Sequence, residues 1–112
     1  MDSISLVMRV LDGLQARAAA TAQNIANVGT PGYRPVEVRF EDALRRDAAG
    51  NSAADAASPI EVRPKSATAP GQMRLDLELL TATATSARYG ALADLLNRRV
   101  QMDHLAAGQG RS

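Results

Sequence analysis

Residues 3–27 place Val7, Leu11, Leu14, Ala18, Thr21, Ile25 and Val28 at alternating spacings of four and three, and Ile4 extends the series backwards. That heptad spacing keeps one stripe facing a partner helix. It predicts a helix about 37 Å long at 1.5 Å per residue. Ser3 or Ser5 is the candidate cap at its start. Asn27 and Gly29 suit the left-handed residue that ends many helices, and Pro31 prevents continuation. A second series, Leu75, Leu79, Ala82, Ser86, Tyr89, Ala93, Leu96 and Val100, repeats the spacing, with Leu92 and Leu95 widening the stripe. It predicts a helix from near Met73 to about Ala106. Gly90 costs it roughly 1 kcal/mol relative to alanine without interrupting the pattern.

Between the helices the periodicity changes. Thr30-Pro31-Gly32-Tyr33 carries Pro and Gly at the second and third positions of a type II turn. Val36, Val38 and Phe40 then alternate with Glu37 and Arg39, a period of two that predicts a short extended segment. Glu41 to Arg46 fits a single helical turn. Residues 47–72 contain eight Ala, three Ser, three Pro and two Gly but no Leu or aromatic, which leaves Ile60 and Val62 as the only anchors. The first expectation there is a flexible or partly extended linker, and the second a small β-hairpin around Ile60 and Val62. The expected fold is mainly α: two long terminal amphipathic helices form a coiled-coil hairpin, joined by a short extended segment and a loose middle region. Segments 1–46, 47–72 and 73–112 make one structural unit.

Composition makes that hairpin thin. A chain of 112 residues holds one domain at most. Alanine supplies 22 of its hydrophobic residues, against 23 for Leu, Ile, Val and Phe together, and there are three aromatics. Each large aliphatic contributes about 1.5–3 kcal/mol when fully buried, so an isolated chain is expected to be marginal and to complete its burial against other chains. The 13 basic and 12 acidic residues are spread evenly, leaving no basic field for nucleic acid. No apolar run reaches the length of a membrane span, and neither helix has the Lys/Arg-rich polar face of a surface-lying membrane helix. Met1-Asp2-Ser3 does not open like a cleavable signal peptide. Without cysteine there is no disulfide or thiolate chemistry.

Candidate chemistry is sparse. His104 is the only histidine, and neither a general base nor a metal site stands on one such residue without an orienting acid or further ligands. Asp76 and Glu78 lie two apart on a helix and diverge; their place in the first turn points to helix-start electrostatics. No glycine-rich phosphate loop or nucleophile elbow occurs. The expectation is a protein with no catalytic, cofactor-binding or metal-binding residues, not an enzyme. Tyr89 is read as a packing residue on the second seam.

The stretch from Gln23 to Arg34 is more specified than a helix end requires. Asn24 and Asn27 share one face of the last turn, where their amides can bind that turn's carbonyls or the following loop. The turn folds Tyr33 back towards the helix. Asn24-Ile25-Ala26-Asn27, then Thr30-Pro31-Gly32-Tyr33 and Arg34, closely resembles the signature of the bacterial flagellar rod and hook axial family. Phe40-Glu41-Asp42-Ala43-Leu44 resembles a Phe-Glu-x-x-Leu segment of the family's proximal-rod member. Gly71 to Leu79 is similar to its Gly-Asn-Val-Asp-Leu-Glu-x-Glu-Met pattern, departing from it at Gln72, Arg74 and Leu79.

That resemblance implies a structural subunit of the flagellar basal-body rod in the periplasm, exported through a type III apparatus without a cleaved signal and needed for motility. The implied partners are other rod subunits, further copies of the chain, and ring and export-gate components at the rod base. Asn24, Ile25, Asn27, Thr30, Pro31, Gly32 and Tyr33 would then form the turn that meets neighbours, and Val7, Leu11, Leu14, Ile25, Leu75, Leu79, Tyr89, Leu96 and Val100 the assembled helix seams. The alternative is a soluble helical-hairpin adaptor or chaperone-like binding module.

Overall fold

The computed structural model describes residues 2–50, 59–65 and 74–109. In chain order they form α1 (Ser3–Ala26), β1 (Val36–Arg39), α2 (Glu41–Ala48), β2 (Glu61–Pro64) and α3 (Leu75–Gln109). The fold is mainly helical, with α1 and α3 packed as an antiparallel hairpin. Most of the expected linker, residues 51–58 and 66–72, lies outside the described residues, as does Met73.

The two ends of α1 differ in detail from expectation. Its start is capped by Asp2, whose Oδ1 accepts the Ser5 N–H at 2.7 Å, rather than by a serine. At its end Asn27 has φ −106°, and the positive-φ glycines are Gly32 and Gly50, not Gly29. A left-handed residue is not needed because other donors satisfy the open carbonyls. The Asn27 amide donates to the Gln23 carbonyl at 2.8 Å, and the Val28 N–H donates to Ile25 at 3.3 Å.

The helix seam is apolar in one half and polar in the other. Towards the start of α1, Val7 lies beside Leu92, Leu95 and Leu96, and Leu11 beside Ala93 and Leu96, as the heptad reading expects. Towards its end the stripe turns: Asn24 and Thr21 lie beside Glu78, all three buried, and Thr85 is buried further along α3, whereas Ala18 and Val28 are exposed. On α3 the expected seam residues Leu75, Leu79, Tyr89 and Val100 are 40–50% exposed. Glu78, held inward by polar partners, turns the adjacent Leu79 outward, since successive helical residues differ by about 100°; Val100, though half exposed, still lies beside Leu11. Leu14 is buried at the centre, Leu96 is partly covered, and Ile25 is half-buried.

The middle of the chain is more ordered than expected around Ile60. Residues 61–64 form neither a linker nor a self-contained hairpin; β2 pairs antiparallel with β1, placing Val38 opposite Val62 and Val36 opposite Pro64. Ile60 packs against the core, as an anchor should, while Val62 stays mostly exposed. The helical turn after β1 extends to the eight residues of α2.

The core is small: Leu14, Ala20, Val38 and Phe40, flanked by Val10, Ala16, Val36, Leu44, Ile60 and Leu92. Phe40 lies so close to α1 that a Cβ built on Gly13 would meet its ring at 2.5 Å. Arg17 covers the same ring at 4.8 Å, and its guanidinium donates to the Val38 carbonyl at 2.9 Å and the Glu41 carboxylate at 2.7 Å. That hydrogen bond holds the Glu41 carboxyl below its ordinary range. The molecule measures 65 × 30 × 14 Å, a flat rod one helix pair thick.

Candidate functional site

The end of α1, the turn after it and the start of α3 meet at one side chain. Asn24 is 1% exposed. A primary amide offers two N–H donors and an oxygen with two lone pairs, and all four are used. Its Nδ2 donates to the Val36 carbonyl at 2.8 Å and to Glu78 Oε2 at 3.1 Å. Its Oδ1 accepts the Val36 N–H at 2.9 Å and the Tyr33 hydroxyl at 2.8 Å. Both backbone groups of Val36 therefore pair with one side chain, as they would with a neighbouring strand. The amide fixes β1 against the helix without a third strand.

The turn supplies the geometry that lets Tyr33 reach back. Gly32 has φ +76°, and the Tyr33 N–H donates to the Thr30 carbonyl at 3.2 Å, the arrangement of a type II turn. Thr30 is itself tied to the helix end: its hydroxyl donates to Asn27 Oδ1 at 3.1 Å and its N–H to the Asn27 carbonyl at 3.0 Å. Of the two roles open to the asparagine amides, Asn27 takes the helix carbonyl and Asn24 the following strand. Burial, and then the negative charge of Glu78, push the Tyr33 hydroxyl above the ordinary tyrosine range. A hydroxyl kept protonated remains a donor to Asn24.

Glu78 corrects the reading of the acidic pair. Asp76 does stay exposed at the start of α3, where its hydrogen bond from Arg74 at 2.7 Å holds its carboxyl low. Glu78, two residues on, is only 2% exposed. Its Oε1 accepts a short hydrogen bond from Lys65 Nζ, and its Oε2 the Asn24 amide. Lys65 follows β2 directly, and its N–H donates to the Pro35 carbonyl at 2.9 Å. The cluster joins α1, the turn, the two strands and α3.

Sequence reasoning found Asn24, Asn27, Thr30, Gly32 and Tyr33, which the fold brings together; Pro31 sits exposed on the turn and Ile25 half-buried beside it. It missed Lys65 and the inward role of Glu78. The available signal was that Lys65 is the only lysine among 13 basic residues. It also missed Gly13 and Arg17, whose spacing says nothing of a ring across the fold. His104 is exposed near the end of α3. Among the described residues no three His, Cys, Asp or Glu side chains gather as a metal site, and no helix is long and apolar enough to cross a membrane. The Asn24 cluster is saturated by internal partners, so its chemistry is that of a joint: it sets angles between elements. No protein-family model matches this chain, and no curated protein matches its sequence.

Proposed function

We propose that this chain is a non-enzymatic structural subunit of a bacterial flagellar rod, resembling the proximal-rod protein FlgB and assembled by helical packing with neighbouring axial subunits. The observation that carries this reading is the apolar surface left on a flat hairpin. Leu75, Leu79, Leu80, Tyr89, Leu95 and Val100 are each 40% exposed or more along one helix. At about 100° per residue Leu75, Leu79, Tyr89 and Val100 share one side of α3 and Leu80 and Leu95 the other, and exposed apolar surface of that extent marks contact with other proteins. The Asn24 joint supports the same reading, because it fixes the exit from α1 with more hydrogen bonds than a free helix end requires. Subunits adding through a heterologous contact build an open helical assembly, with copies of the chain and other rod subunits as neighbours and ring and export-gate components at the base. Export would proceed through a type III apparatus, and the assembled rod would stand in the periplasm.

The test is an in-frame deletion of the coding sequence, read by swimming and by electron microscopy of isolated basal bodies. The expected result is rings without rod or hook, restored by the intact gene on a plasmid. Normal basal bodies and normal swimming would overturn the rod reading in favour of a soluble helical-hairpin adaptor or chaperone-like module.

A further inference from the structure

The strand β2 and the helix α3 scarcely touch: β2 packs on β1, and α3 packs on α1. One direct link between them is ionic. Lys65, one-third exposed just after β2, reaches Glu78, which is 2% exposed in the first turn of α3. A carboxylate in that position is costly unless it is paired and hydrogen-bonded. Its two oxygens are served from two directions, by Lys65 from β2 and by Asn24 from α1. Asn24 in turn holds both backbone groups of Val36, the first residue of the strand on which β2 docks. Removing β2 therefore strips Glu78 of its cation, and withdrawing the first turns of α3 strips Lys65 and Asn24 of their acceptor.

We propose that Lys65 and Glu78 form a clasp that couples docking of β2 to docking of the first turns of α3, so that the two segments open and close as one unit. The device stands independently of the rod reading. It makes the exit angle of α1 and the start of α3 conditional on a strap drawn from the middle of the chain. The groups facing the Glu78 carboxylate are Lys65 from β2, Tyr33 from the turn and Asn24 from α1, with Arg17 and Glu37 lining the same cleft.

Amide hydrogen exchange on the full chain tests the clasp, comparing wild type with Lys65→Met, Glu78→Gln, Lys65→Arg and the Lys65→Met/Glu78→Gln pair. The expected result is that Lys65→Met speeds exchange tenfold or more both at Lys65 and at the amides of Glu78 to Ala82. Lys65→Arg keeps most of the protection, and the double variant loses less than the two single losses combined. Faster exchange in β2 alone, additive losses in the double variant, or no protection of either segment in wild type would each overturn the proposal. Because Lys65 is partly exposed, its variants report on the coupling even where Glu78→Gln fails to fold.

Discussion

At the scale of single residues, Asn24 concentrates most of the fold's specificity. Replacing it by alanine leaves the Val36 N–H and carbonyl, the Tyr33 hydroxyl and one Glu78 oxygen without their buried partner. Unsatisfied buried polar groups cost about 1–3 kcal/mol each, partly recovered when water enters. Asn24→Ala is therefore expected to lose about 3 kcal/mol, measured by urea unfolding, whereas Asn27→Ala loses about 1 kcal/mol because its bonds are exposed. Gly32 gives a cleaner backbone case. A Cβ there meets nothing within 4 Å, so the cost of Gly32→Ala comes only from φ +76°, about 1–2 kcal/mol. In the rod reading Gly32→Val blocks assembly more than it lowers expression, and normal motility of that variant would remove the turn from the assembly mechanism. Tyr33 sets a pH limit. Its folded pKa lies above the ordinary 10.0, so its contribution is complete below pH 10 and is lost as pH rises through the folded value. Stability measured across alkaline pH should show that fall in wild type and not in Tyr33→Phe.

At the scale of elements, the contact between α1 and the sheet depends on a missing side chain. Gly13 lets the Phe40 ring lie against the helix, where a Cβ would stand 2.5 Å from it. Gly13→Ala is expected to destabilise by about 1–3 kcal/mol through overpacking. Phe40→Leu should be less harmful in the Gly13→Ala background than alone, and a double-mutant cycle by denaturant unfolding measures that coupling. The existence and approximate bounds of α1, β1 and α3 were legible because periodicity depends on burial along one chain. The partner of β2 was not legible. Glu61 to Pro64 has one large apolar residue, and a strand stabilised by register with Val36–Arg39 leaves no local signal of its own.

For the whole molecule, the decisive property is thinness. A rod 65 Å long and 14 Å thick cannot cover both faces of α3, and most of the large apolar residues of that helix stay in contact with water. Leu80→Glu and Leu95→Glu alter side chains 65% and 57% exposed, so the thermal midpoint of the isolated chain should move little. The same variants should reduce self-association in light scattering and abolish swimming if α3 packs against neighbours. Swimming equal to wild type in both would exclude that face from assembly.

The sequence by itself determined two long helices, the type II turn between Thr30 and Tyr33, and a chain too poor in large aliphatics to bury itself. These are properties of local spacing and composition. Only the tertiary structure decided which face of each helix turns inward. The heptad reading aligned Leu75, Leu79 and Tyr89 on the inner seam, but that rule ranks positions by apolarity alone. It has no means of knowing that Lys65 and Asn24, 13 and 54 residues from Glu78, converge on its carboxylate. Once that charge is paired and buried, the helix can take only one rotation. Leu79, the next residue along, then faces outward, because a solvated apolar side chain costs less than an unpaired buried carboxylate.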